Sequence, residues 1–108
     1  MHITRFKTIL NRIKSNPECW NQKIWHFGTS HCFAGHAQID SGNEIDTWNA
    51  YNNAKQWLNL TESECDYIFN KSTTIENFEV FLKKEQDHKK LIRQLRLENK
   101  NKVPTLQT

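Results

Sequence analysis

Three cysteines, Cys19, Cys32 and Cys65, are all the thiol this chain of 108 residues carries, and no two form a Cys-x-x-Cys pair. An odd, widely spaced set is no disulfide framework. It excludes the small stapled secreted class and points to a reducing, cytoplasmic compartment. No stretch approaches the ~18–20 apolar residues that cross a bilayer. The segment Met1–Glu18 has neither a long apolar run nor a small-residue cleavage site. Glycine is scarce, with three in all, and neither a P-loop nor Gly-x-Gly-x-x-Gly occurs, which removes the usual nucleotide signatures. No period-two alternation persists, so no sheet is expected. No repeat or low-complexity segment is visible. The net charge is only +3. Residues 1–54 carry five Lys/Arg against four Asp/Glu, and residues 55–108 ten against eight. Charges of mixed sign describe a solvated surface and name no partner.

What is present is aromatic and helical. Six Phe and four Trp offset a hydrophobic fraction of only 36%, because large rings bury much area per residue. The length suits one domain with stability of about 5–10 kcal/mol. Ile3, Phe6, Ile9, Leu10 and Ile13 form a 3.6-residue stripe. That helix ends before Asn16-Pro17, since proline disfavours helical backbone in the residue before it. An irregular segment with Trp20, Trp25 and Phe27 follows. A second helix is expected from Thr29 or Ser30, both good N-caps, to a stop at Gly42. Asp46 or Thr47 is expected to open a third, carrying Trp48, Tyr51, Ala54 and Leu58. Thr61-Glu62-Ser63-Glu64 reads as a capping box for a fourth, and Thr73-Thr74-Ile75-Glu76 as another for the last. The predicted fold is all-α, a single small domain of about five helices over residues 1–98. Its aromatic-rich core spans about 3–82.

The last helix changes character along its length. Phe78, Phe81 and Leu82 give it an apolar face, and Lys83–Lys90 then has no aliphatic or aromatic residue. Leu91, Ile92, Leu95 and Leu97 restore one. Residues 83–98 are therefore expected as an arm. It either folds back on its own domain or carries a protein partner or a second copy through Leu91, Ile92 and Leu95. Lys83, Lys84, Lys89, Lys90, Arg93 and Arg96 are diluted by Glu85 and Asp87. No groove-reading motif accompanies them, so nucleic acid is not expected as a partner, and neither is a membrane. Residues 99–108 lack periodicity and are expected as a disordered tail.

Chemistry concentrates in Trp25–Ala37, where three aromatics, two glycines, three histidines and a cysteine fall within thirteen residues. A second helix opening at Thr29 or Ser30 would put Cys32 in its first turn and His36 one turn on, along the same face. Four readings compete. A helix N-terminus lowers a thiol's pKa, so Cys32 could be a nucleophile with His36, His31 or His26 as base. Cys19, His26, Cys32 and His36 contain a Cys2His2 zinc set, although the spacings fit no established finger. The amides after Gly28 could hold an anion or nucleotide. The fourth reading is packing: a small buried thiol and Gly35 let aromatics, Trp20 or Trp25 first, close on the helix. Gly35 costs a helix about 1 kcal/mol against alanine, which implies a tight neighbour. Packing is favoured, and no cofactor is expected.

Several of these residues recur in an arrangement that resembles a family of small uncharacterised proteins of bacteria and their phages. They are Trp20-x-Gln22, Trp25-x-x-Gly28-Thr29-x-x-Cys32-Phe33-Ala34-Gly35-x-Ala37, Ala54-x-x-x-Leu58-x-Leu60-Thr61, Phe69-Asn70 and Thr74-x-Glu76-x-Phe78. The likeness covers roughly residues 3–82. The family often places Trp where this chain has His36, and residues that cannot ligate near Cys19 and His26. The resemblance thus speaks against a zinc quartet and a Cys32/His36 dyad. It favours a packing role or a pocket around Trp25, Gly28, Thr29, Cys32, Gly35 and His36. It implies an accessory or interaction protein. The function expected is a non-enzymatic adaptor, with a cysteine-dependent enzyme or zinc site centred on Cys32 and the nearby histidines as the alternative.

Overall fold

In a computed structural model, residues 1–106 form five α-helices and one small hairpin; side chains are described through residue 100. Helix α1 (Ile3–Ser15) is capped by His2, whose Nδ1 accepts the Arg5 amide at 3.3 Å. Its expected stripe is its inner face: Phe6, Ile9, Leu10 and Ile13 are buried, each worth about 1.5–3 kcal/mol. It ends at Asn16, and a 3-10 turn over Pro17–Cys19 redirects the chain.

The next elements depart from the sequence reading. Instead of starting a helix, Thr29 and Ser30 belong to a hairpin. Strands β1 (His26–Phe27) and β2 (Ser30–His31) pair antiparallel, His26 opposite His31 and Phe27 opposite Ser30. The turn needs a left-handed residue, and Gly28 supplies it at φ +60°. Strands of two residues are too short to show alternation. Helix α2 (Phe33–Asp40) therefore begins later than expected, with Cys32 as its N-cap. It ends at Ser41 and Gly42, as the glycine suggested.

Helix α3 (Ala50–Leu58) also starts late. Asp46 instead closes a turn, its Oδ1 accepting the Asn49 amide at 2.7 Å, and Trp48, expected on the apolar stripe, is 91% exposed. Helix α4 (Glu62–Ile68) has the predicted Thr61/Glu64 capping box. Helix α5 (Ile75–Leu106) is capped one residue later than expected, by Thr74 with Asn77 in place of Thr73 with Glu76. Thr73 donates its hydroxyl to the Tyr67 carbonyl.

The core is a stack of rings from three helices. Phe33 of α2 lies 4.6 Å from both Phe6 of α1 and Phe78 of α5, centroid to centroid, and Trp20 meets Phe78 at 6.0 Å. Helix α5 packs on α1 through Phe78 and Leu82 and then continues outward as one helix. At 1.5 Å per residue it is about 48 Å long, which explains the 64 × 24 × 21 Å extents. It does not fold back. Backbone over 99–106 is helical where a tail was expected, and residues 107–108 lie outside the described residues. No described helix is long and apolar enough to cross a membrane.

Candidate functional site

The thirteen-residue run folds into the hairpin and the first turn of α2. The hairpin pairing carries His26 and His31 to one place, and α2 adds His36 one turn beyond Cys32. Ring centroids lie 4.9 Å apart for His26 and His31, and 5.3 Å for His31 and His36. The histidines are thus a chain of touching rings, which spacing alone did not reveal.

Cys32 is buried. Its amide donates to the carbonyl of Ile24 at 3.0 Å and to that of Trp25 at 3.4 Å, and its Sγ accepts the Gly35 amide at 3.4 Å. Burial pushes the thiol's pKa up, with the amides of Gly35 and Ala34 opposing only in part. Desolvation therefore outweighs the helix-end effect on which the nucleophile reading relied. His36 is no base for it. Its Nε2 donates to the Cys19 carbonyl at 2.8 Å, while Nδ1 faces Arg12 Nη1 at 3.4 Å. Sharing a helix face does not make the thiol and imidazole meet. Native Cys32 is expected to resist alkylation at neutral pH and to react once unfolded, well behind half-buried Cys19. Mass-resolved labelling of each cysteine checks this, and fast native labelling of Cys32 would refute it.

The other chemical readings meet similar obstacles. Among the described residues, no three His, Cys, Asp or Glu side chains gather as a metal ion requires. Cys19, His26, Cys32 and His36 are not brought together as a ligand set. The α2 amides offer little to an anion, because Phe33 N donates to Gln22 Oε1 at 3.1 Å and Gly35 N to Cys32 Sγ. Gly28 and Thr29, the turn of the hairpin, lie outside that helix.

Gly35 is tightly packed, as its cost predicted, but not against an indole. A Cβ there would collide with the backbone carbonyl oxygen of Trp25 and come within 3.1 Å of His26 and His31. Two glutamines that sequence reasoning assigned no role hold the region together. Gln22 Oε1 accepts from Trp20 Nε1 and Phe33 N, while its Nε2 donates to the carbonyls of Ile68 and Asn70. Gln38 is fully buried. Its Oε1 accepts from the Asp46 amide and lies 2.7 Å from His26 Nε2, and its Nε2 donates to Asn53 Oδ1. Arg12 closes the periphery on Asp40 at 2.9 Å.

A groove of about 770 Å³ lies elsewhere, between residues 20–23 and 71–74. Lys23 and Lys71 line it, but its two buried polar side chains, Gln22 and Thr73, already have their partners inside the fold. An opening that does touch Cys32 is small, about 160 Å³. No family model, curated protein or solved structure matches this chain.

Proposed function

We propose that this chain is a small non-enzymatic binding protein, an adaptor that joins a protein partner or a second copy through the outer part of α5. The reading rests on one observation. The helix leaves its domain and presents Leu91 (51% exposed), Leu95 (44%) and Leu97 (58%) to water. Exposed leucines one turn apart on a projecting helix are costly unless something covers them. Leu91 and Leu95 lie four residues apart on one face, with half-buried Ile92 at its edge.

Charge narrows the partner. Lys89, Arg93, Arg96 and Lys100 follow one another at helical spacing beside this stripe, whereas Glu85, Asp87 and Glu98 are the only acids over 83–100. An apolar groove rimmed by carboxylates matches that face better than a like-charged arm of a second copy. Nucleic acid would answer the cations but leave the leucines uncovered.

Truncation after Lys84 tests the proposal. It keeps Phe78 and Leu82, so the helical signal and cooperative unfolding should persist while association is lost. Leu91→Asp with Leu95→Asp in the full chain should weaken association by about a hundredfold or more. Native mass spectrometry reads self-association, and crosslinking in the source cells reads a partner. Association unchanged by both alterations would refute the proposal.

A further inference from the structure

We propose that the His26–His31–His36 chain is a proton-operated latch that holds the β1–β2 hairpin on α2 and releases it on acidification. The hydrogen bonds dictate where the protons sit. Arg12 can only donate, so Nδ1 of His36 accepts and Nε2–H donates to Cys19: this ring is neutral with both nitrogens occupied. Gln38 is equally constrained. Its Nε2 faces Asn53 Oδ1, so Oε1 is the atom that receives the proton on His26 Nε2. Neutral His26 then has only a lone pair at Nδ1, and His31 Nδ1–H donates to it across 2.7 Å. Neutral His26 and His31 thus share one hydrogen bond, and neutral His36 packs against His31 with both of its nitrogens occupied elsewhere.

Added protons break that fit. On His36 a second proton opposes Arg12, and on His26 Nδ1 it leaves two donors face to face. On His31 it goes to Nε2 and spares the bond to His26, so its cost is the desolvated charge and its repulsion by protons on the rings 4.9 and 5.3 Å away. The charged and titratable groups packed around the chain are Arg12 on α1, Cys19 in the turn, Cys32 and Asp40 on α2 and, behind Gln38, Asp46. Asp40, held by Arg12, offsets new charge on His36 only in part, and Asp46 is held by Asn49. Burial, and then the neighbouring histidines, lower the pKa of His31. Burial lowers that of His36, with the Cys19 carbonyl opposing, Arg12 reinforcing and Asp40 opposing.

The sign follows. A histidine lowered in the fold binds protons more readily in the opened chain. Stability is complete above the ordinary value of about 6.5 and declines as pH falls from there towards the folded values. The hairpin yields before the domain does, because its strands are two residues long. Besides the histidines it is tied by backbone bonds such as Asn21 N to His31 O and Cys32 N to Ile24 O. The Phe6–Phe33–Phe78 stack beneath belongs to helices α1, α2 and α5.

Hydrogen exchange at about pH 7.5 and about pH 5, corrected for its intrinsic pH dependence, tests the latch. Residues 20–32 should lose protection by about tenfold or more relative to α1 at the lower pH. In the double variant His31→Asn and His36→Gln, whose amides replace the Nδ1–H and Nε2–H donors without titrating, that pH response should shrink severalfold. Unchanged relative protection in the natural chain, or a full response in the variant, overturns the latch. Should the variant not fold, titration of the natural chain by NMR decides. His31 and His36 titrating below about 6.5 together with hairpin resonances supports the latch. Titration that leaves the hairpin resonances unmoved overturns it.

Discussion

Gly35→Ala is expected to lower the thermal midpoint by about 8 °C or more, at about 4–8 °C per kcal/mol for a domain of this size. The added methyl would meet the Trp25 carbonyl oxygen, a backbone atom that no rotamer change can withdraw. His26 and His31, each at 3.1 Å, block the other ways out. Overpacking that shifts backbone costs about 1–3 kcal/mol, occasionally more, and a collision with a carbonyl oxygen puts this site at the upper end. Alanine returns up to about 1 kcal/mol of helix propensity, which leaves a net loss near 2 kcal/mol or above. The hairpin would have to lift, so the disturbance should appear first in His26 and His31. Calorimetry with histidine NMR checks both parts. A midpoint unchanged or raised would mean that helix propensity, not the close approach, governs this position.

Phe33→Ala is expected to be worse, about 3–5 kcal/mol. Phe33 is the ring through which α1, α2 and α5 meet, with Phe6 and Phe78 each at 4.6 Å. Its removal leaves a cavity bounded by three elements, and no single neighbour can close it. Against a total of about 5–15 kcal/mol this takes much of the domain's stability. The contrast is Phe27, six residues earlier and 77% exposed, where alanine should change stability by no more than about 0.5 kcal/mol. Urea denaturation of the two variants separates them. A loss below about 1 kcal/mol for Phe33→Ala would show that the ring stack is not the centre of the core.

Local chemistry was legible where local forces decide. The α1 stripe and the Thr61/Glu64 box depend on residues three or four apart, and both stand where the sequence puts them. Thr29 and Ser30 misled because a good N-cap is only an opportunity. Gly28 in a left-handed conformation gave the chain a competing turn, and the hairpin took the cap residues. Cys32 and His36 illustrate the same limit at the site. The helix periodicity that aligned them is real, but the imidazole turned to Arg12 and Cys19, which no spacing rule could foresee.

By itself, the sequence determined the class of the fold. Amphipathic spacing, caps and aromatic content make five helices around one core, because each is a property of neighbours along the chain. Only the tertiary structure decided which groups meet across it: Gln22 with Ile68, Arg12 with His36 and Asp40, and the Trp25 carbonyl with Gly35. Those pairings arise when helices dock and water leaves, and burial then raises the Cys32 thiol and lowers the His31 and His36 imidazoles. Spacing can bring a thiol and three histidines near one another, but it is the desolvated packing around them that disfavours the thiolate of Cys32 and the charged forms of His31 and His36.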